Sequence, residues 1–333
     1  MQAMIYHGPE KVTVEEVDAP SFQPNEVLIK VESTGICGSE LEGYLGHSSI
    51  RKAPLVMGHE FCGRIVALGD QVHGLSVKDK VVVNPLIACR TCASCLMGKT
   101  NVCRNRKIIG IHRPGAFAEF VAVPYENIFQ VPEGIDASLA SLAEPLAVAI
   151  HAVKLGLQPL DDLLIYGAGP IGLLCLLAAQ QMGAGKIVVL DLQPARLEHV
   201  RRLGGIGIAP MQIEEQREEL FSQGIPTIID CVGVKATREQ GMNLVDSGGT
   251  IIMVGLGHDK SDLPVNHLVR QEISLIGSYT YTHADFQQAI TLLQQGKIDI
   301  QGWSETRSLV DGPAAFQELV AGKSSFSKIF LKP

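Results

Sequence analysis

Four cysteines fall within fifteen residues, at Cys89, Cys92, Cys95 and Cys103, in the pattern C-x2-C-x2-C-x7-C. Tetrahedral zinc takes four soft ligands about 2.3 Å from the metal, and two-residue spacers let a turning backbone deliver successive thiolates to one point. Thr91, Ala93 and Ser94 are small or polar enough to permit that turn. Disulfides are disfavoured, because thiols so close in sequence rarely meet the bond geometry and nothing in the chain points to an oxidising compartment. A ferredoxin-like cluster would place its fourth cysteine differently and follow it with Pro, where this chain has Arg104. A nucleic-acid zinc ribbon would want two CxxC knuckles in basic surroundings. The run reads as a structural zinc lobe over about residues 86–106. Four thiolates leave no open coordination position, so catalysis must lie elsewhere.

A second constellation is Gly167, Gly169 and Gly172, a G-x-G-x-x-G turn that also contains Pro170 and Ile171. It follows the apolar run "DDLLIY", opens a helical pattern, and is followed by Asp191 at the end of the next apolar run. That context is the dinucleotide-binding fingerprint. Gly167 permits the tight turn, Gly169 lets the backbone approach a pyrophosphate, and Gly172 allows close helix–strand packing. The helix N-terminus offers free N–H groups to the phosphates. Asp191 suits the two ribose hydroxyls and would repel a 2′-phosphate, which favours NAD over NADP. Arg196 could stack on adenine or tolerate that phosphate, and otherwise is a solvated helix charge. A fold of this kind that binds S-adenosylmethionine is the competing reading.

Three further residues could share a metal. Cys37 lies at a strand-to-helix turn, His59 follows Gly58 in a tight segment, and Glu144 stands where one domain gives way to the next. Taken singly, each has an ordinary reading as a buried thiol, a core histidine or a helix-start acid, and spacing alone does not join them.

The elements that must position these residues fall into two styles. Up to about residue 145, short alternating runs ("NEVLIKVES", "CGRIVALG", "DKVVVNPL", "AFAEFVAVP") predict a β-rich domain broken by Gly and Pro. From "AEPLAVAIHAVKLG" onward, helical and apolar strand patterns alternate through "PTIIDCVG", "ATREQGMNLV", "GGTIIMVGLG" and "EISLIGSYTY", the signature of a parallel sheet. Phe286, Ala289, Ile290 and Leu293 recur at helical spacing, and "SKIFLKP" predicts a final strand. The formal net charge of −7 gives no basic stripe for nucleic acid. The N-terminal run lacks a secretory pattern and no apolar stretch is long enough to span a bilayer, so the expectation is a cytoplasmic protein without a membrane partner. Cys62, Cys175 and Cys231 fit no ligand pattern and are expected to be small buried hydrophobes.

Taken together, "GICGSE", "GHEFCGRIVALG", the four-cysteine loop, "GAFAEF", "AEPLAVAIHA", "GAGPIG", "VVLD" and "GGTIIMVGLG" make the chain resemble the zinc-dependent medium-chain alcohol dehydrogenases, within them the sorbitol-like polyol branch. The resemblance implies an α/β protein: a GroES-like catalytic domain at 1–146, a Rossmann NAD-binding domain at 147–280, and a segment at 281–333 returning to the first. It makes Cys37, His59 and Glu144 the ligands of a catalytic zinc, with Glu60 a neighbouring acid that exchanges with water on the metal. Because consecutive side chains on extended backbone point apart, His59 and Glu60 are not expected to be relaxed ligands together. Ser39 matches the relay hydroxyl. Glu42 stands where the family usually has His, leaving Glu42, His47 or water to carry the proton away. Val254, Gly255, Leu256, Ser278, Tyr279 and Thr280 match nicotinamide-side positions, and Tyr281 matches an aromatic used near substrate. The resemblance also implies a homodimer or homotetramer.

The expected chemistry is hydride transfer between NAD and a secondary hydroxyl of a polyol, sugar acid or cyclitol, with two zinc ions per chain. The family's substrate aromatic is Gly43 here, and a polyol-binding Arg is Thr280. These departures move the expectation away from sorbitol itself. Simple alcohols, vicinal diols such as butanediol and amino alcohols such as threonine are the alternatives in class. No arginine can be assigned to a substrate carboxylate from sequence, which ranks threonine lower. A zinc-free NADPH reductase of quinones or enones, or a non-catalytic NAD sensor on the same scaffold, are rivals of other classes.

Overall fold

Val27, Ile29 and Val31 are fully or almost fully buried, as their alternation with Leu28, Lys30 and Glu32 requires. They lie on the strand Glu26–Gly35, in a computed structural model that describes all residues from Met1 to Pro333. That strand organises a mixed sheet. Glu60–Leu68 and Phe120–Pro124 pair with it antiparallel, and Lys80–Val83 and Ile128–Gln130 continue the sheet beyond Glu60–Leu68. Val27, Ile29, Phe61, Ile65, Val81 and Val123 form its core.

The last strand, Lys328–Lys332, pairs antiparallel with the far end of Glu26–Gly35, placing Phe330 opposite Gly35. Gly35 is also the register partner of Glu60. Two elements nearly 270 residues apart in sequence, Glu60 and Lys328, are thereby brought to one point. The helix Gly312–Val320 adds Phe316, which packs edge-on against Tyr44 and Phe117. The C-terminal residues thus belong to the N-terminal unit, which comprises Met1–Glu144, Thr282–Gly296 and Ile300–Pro333.

The second unit, Pro145–Tyr281 with Lys297–Asp299, carries six parallel strands. Their spatial order is Ile206–Ile208, Ile187–Leu190, Leu163–Tyr166, Thr227–Asp230, Thr250–Met253 and Ser274–Gly277. In chain order this is 3-2-1-4-5-6, the doubly wound Rossmann arrangement, with its order reversing beside the first strand. The four central strands are apolar along nearly their whole length, as expected of a sheet covered on both faces. The helix Pro170–Gln181 is buried over most of its surface, with Pro170 at its first turn, where a missing N–H costs nothing.

The four-cysteine lobe is a different kind of structure. Strands Leu86–Ile87 and Lys107–Ile108 close its neck, and between them only Asn101 and Cys103 are buried. A segment with so little apolar interior needs another source of order. Cys62 and Cys175 are buried, whereas Cys231 is partly exposed, with its sulfur 4.0 Å from that of Cys175. Cys231 therefore departs from the expectation of a buried thiol, because it follows the C-terminal end of a sheet strand, where the chain turns outward. No helix is long and apolar enough to cross a membrane.

Candidate metal centre and dinucleotide site

In the lobe, the sulfurs of Cys89, Cys92, Cys95 and Cys103 all lie within 4.8 Å of one another. Cys92 Sγ is 3.6 Å from Cys95 Sγ and 3.9 Å from Cys103 Sγ. A tetrahedron with metal–sulfur bonds of about 2.3 Å has edges of about 3.8 Å, so the spacing suits zinc. All eight cysteines of the chain are free thiols. The Thr91 backbone N–H and hydroxyl, with the Cys92 N–H, pull the Cys89 thiol down to about 5, which favours the thiolate a metal requires.

The second cluster is built around a turn and a buried carboxylate. The strand Glu26–Gly35 ends just before Cys37, which caps the helix Gly38–Tyr44 in extended geometry. Glu40, in the first turn of that helix, has no exposed surface. Its Oε2 accepts from Cys37 N at 3.0 Å, and its Oε1 accepts from Gly58 N at 2.8 Å and pairs with His59 Nδ1 at 2.9 Å. With Nδ1–H donating to Glu40, the imidazole presents Nε2 to a metal. Burial opposes ionisation of Glu40, but the His59 and Arg51 charges and these hydrogen bonds hold its carboxyl below the usual range. Burial likewise opposes a charged His59, yet Glu40 and Cys37 raise its proton affinity well above that of ordinary imidazole. A dication in the same place would compete with that proton, so metal uptake there would release it.

Ligand atoms of Cys37, His59 and Glu60 lie within 4.8 Å of one another. The rule that neighbours point apart holds from Glu60 onward, where the strand Glu60–Leu68 begins. His59 precedes the strand and follows Gly58 at φ +98°, a left-handed turn that lets both side chains approach Cys37. Glu60 also forms a buried ion pair with Lys328, whose Nζ donates to the Ile36 carbonyl at 2.9 Å. Gly35 leaves the space for that pair, since a Cβ there would collide with both side chains. Glu144, buried at the start of the helix Ala143–Lys154, stands outside the trio.

Ser39 Oγ donates to Cys37 Sγ at 3.4 Å and accepts from Arg51 Nη2 at 3.1 Å. Glu42 and His47, two of the proposed proton carriers, are exposed and hydrogen-bonded to each other at 2.8 Å. Sequence reasoning missed Glu40, Arg51 and Lys328. Glu40 had a readable signal: an acid three residues after a helix-capping position is the second half of a capping box.

In the second unit, Gly167 adopts φ +92°, and a Cβ on Gly172 would strike the Gly167 carbonyl. At Gly169 nothing lies within 4 Å of a built Cβ, so open space faces the N-terminus of Pro170–Gln181, as a pyrophosphate would need. Asp191 accepts from Ala168 N and Gln193 N, each at 2.8 Å, which ties it to the glycine turn. Arg196 Nη1 is 3.7 Å from Asp191 Oδ2. Val254 and Gly255 are partly buried, Leu256 is 84% exposed and Tyr279 is partly open. Ser278 Oγ and Thr280 Oγ1 are buried without hydrogen-bond partners, and Thr280 sits at φ +49°. Unpaired buried hydroxyls leave hydrogen-bonding capacity that a polar ligand or an ordered water would satisfy. Tyr281 is fully buried, so in this conformation its ring offers no surface to a substrate, contrary to expectation.

Fold and donor sets together define a metal-dependent, dinucleotide-binding oxidoreductase. The alcohol dehydrogenase GroES-like domain model matches residues 23–133, and the zinc-binding dehydrogenase model matches 170–295. L-galactonate-5-dehydrogenase of Escherichia coli K12 is 34% identical over 303 residues, covering 90% of this chain and 88% of that one. D-xylulose reductase A of Aspergillus oryzae is 32% identical, covering 96% and 94%. Among solved structures, an alcohol dehydrogenase of Escherichia coli CFT073 complexed with NADH superposes with a TM-score of 0.93 at 28% identity, covering 100% and 99%. The chain belongs to the zinc-binding alcohol dehydrogenase family, in its polyol branch, and is an oxidoreductase.

Gly172→Ala forces the glycine turn open. It should cost about 1–3 kcal/mol of stability through overpacking and weaken dinucleotide binding. Thermal unfolding with and without cofactor checks this, and an unchanged midpoint would contradict the close packing.

Proposed function

We propose that this protein holds two zinc ions and NAD, and oxidises a secondary hydroxyl of a polyol or sugar acid. One zinc belongs to the four-cysteine lobe. The other is held by Cys37, His59 and Glu144, with Glu60 an exchangeable neighbour. The observation that carries this reading is the convergence of the Cys37 thiol, the His59 imidazole and the Glu60 carboxylate on one point, with the imidazole oriented by a fully buried Glu40, while Glu144 enters on the family resemblance alone. When bound, zinc supplies Lewis acidity at the substrate hydroxyl and NAD supplies the hydride acceptor. Polyol and sugar-acid relatives support the substrate class. A homodimer or homotetramer follows from the same family resemblance.

The chain's own residues divide the remaining work. Glu40 fixes the His59 tautomer and, through the Cys37 N–H, the cap that presents the thiolate. Lys328 offsets the charge of Glu60, so the site is not overloaded with anions. Ser39, beside Cys37, takes the proton of the substrate hydroxyl, and Glu42 with its His47 partner passes it to solvent through water. Gly167, Gly169 and Gly172 would cradle a pyrophosphate, Asp191 would accept from ribose hydroxyls, and the unpaired Ser278 and Thr280 hydroxyls would be free to bond the nicotinamide end of NAD.

A screen of polyols, sugar acids, diols and amino alcohols on zinc-replete protein tests the reading. The expected result is reduction of NAD with one of the first two classes, at least about tenfold faster than NADP through repulsion of the 2′-phosphate by Asp191. Activity confined to NADPH and enones, surviving chelation, would overturn it. For the relay, Glu42→Gln should lower kcat about 10- to 100-fold and shift its pH profile. An unaltered kcat and profile would remove Glu42 from the mechanism.

A further inference from the structure

Arg51 is a buried cation with no carboxylate in direct contact, its nearest counter-charge being the Glu40 carboxylate, which feels it only at a distance. It is 8% exposed, takes part in no ion pair, and leaves its buried Nε–H without an acceptor. Its two bonds go to one residue: Nη1 donates to the Ser39 carbonyl at 2.6 Å and Nη2 to the Ser39 hydroxyl at 3.1 Å. Glu40 is close enough to feel its charge, but both Glu40 oxygens are committed to Cys37, Gly58 and His59. Buried charges are costly unless paired, and a guanidinium with unused donors beside a reaction site has an obvious complement in an anionic substrate.

The chain makes room for this cation. A Cβ at Gly43 would lie 2.6 Å from Arg51 Cδ and 3.2 Å from Arg51 Nε. The glycine that replaces a substrate aromatic therefore does not simply leave space. It lets the guanidinium lie against the Ser39 helix turn.

We propose that Arg51 is a substrate-recognition residue that selects polyhydroxy carboxylates (aldonates) over neutral alditols. The inference rests on the reading that Ser39 faces the reacting hydroxyl. The carboxylate meets the planar guanidinium while a nearby carbinol meets Ser39, so one arginine turn holds both ends of the recognition. A single fixed cation matches a monoanion. A phosphate ester, nearly dianionic, would want further cations, and Arg51 has no second one at hydrogen-bonding distance from Ser39.

The test compares kcat/KM for matched five- and six-carbon aldonates and alditols at saturating NAD, in wild type, Arg51→Gln and Arg51→Lys. Wild type should prefer the aldonate of its best pair. Arg51→Gln should lower the aldonate:alditol ratio about 10- to 100-fold, the range for losing a charge-assisted hydrogen bond. Arg51→Lys should restore part of it. Calorimetric titration of the same aldonate into the enzyme–NAD complex should show a matching loss of affinity in Arg51→Gln, and weaker wild-type binding in high salt. A purely structural role would lower both substrates equally and leave the ratio unmoved, which would overturn the assignment. So would a wild type that prefers alditols or phosphorylated alditols, a result needing no variant to fold. Alditol oxidation alone sinks the Arg51 assignment and leaves the dehydrogenase reading intact, whereas no oxidation of any pair sinks both.

Discussion

The catalytic half of this molecule depends on one buried carboxylate. Glu40 has no exposed surface and three committed acceptor contacts, each to a segment that carries or flanks a proposed metal ligand. Desolvating a carboxylate costs several kcal/mol. Charge-assisted hydrogen bonds of about 1.5–3 kcal/mol each offset that cost. Remove the charge, and the cap of the Gly38–Tyr44 helix, the Gly58 turn and the His59 ring lose their common anchor at once. A carboxylate behind a metal-binding imidazole also makes the other nitrogen a better donor.

Around this anchor the chain balances charge at close quarters. Cys37, Glu60 and Glu40 would together make an unpaired negative cluster. Lys328 arrives from the C-terminal strand to pair with Glu60, and Arg51 lies over Ser39. Gly35 and Gly43 are the two places where a missing side chain admits these cations, so two glycines that look unremarkable in sequence set the electrostatics of the site. The four-cysteine lobe does none of this. With so little buried between its two neck strands, its order does not rest on an apolar core, and the four converging sulfurs are the site of the proposed zinc.

Local patterns were legible and long-range pairings were not. The glycine turn, Asp191, the four cysteines and the helical run at Phe286–Leu293 are each encoded within a few residues, by turn chemistry, ligand spacing or periodicity. The strand "SKIFLKP" was readable as a strand, but its Lys328 looked like an ordinary polar start, because nothing local says that residue 328 faces residue 60. Arg51 was equally silent: its meaning depends on the absence of a side chain at Gly43 and on a tertiary contact with Ser39. His59 and Glu60 mislead for the opposite reason. Alternation is a property of strands, and the strand starts only at Glu60, so the rule does not bind His59, which precedes it.

Metal content of the purified chain tests the central claim most directly. Zinc counted by mass spectrometry in wild type and in Cys37→Ser should give two ions per chain and one, respectively, with cobalt in place of the lost ion showing a thiolate charge-transfer band only in wild type. One zinc per chain in both proteins would mean that Cys37, His59 and the acids beside them hold no ion, and the account of the site would fall.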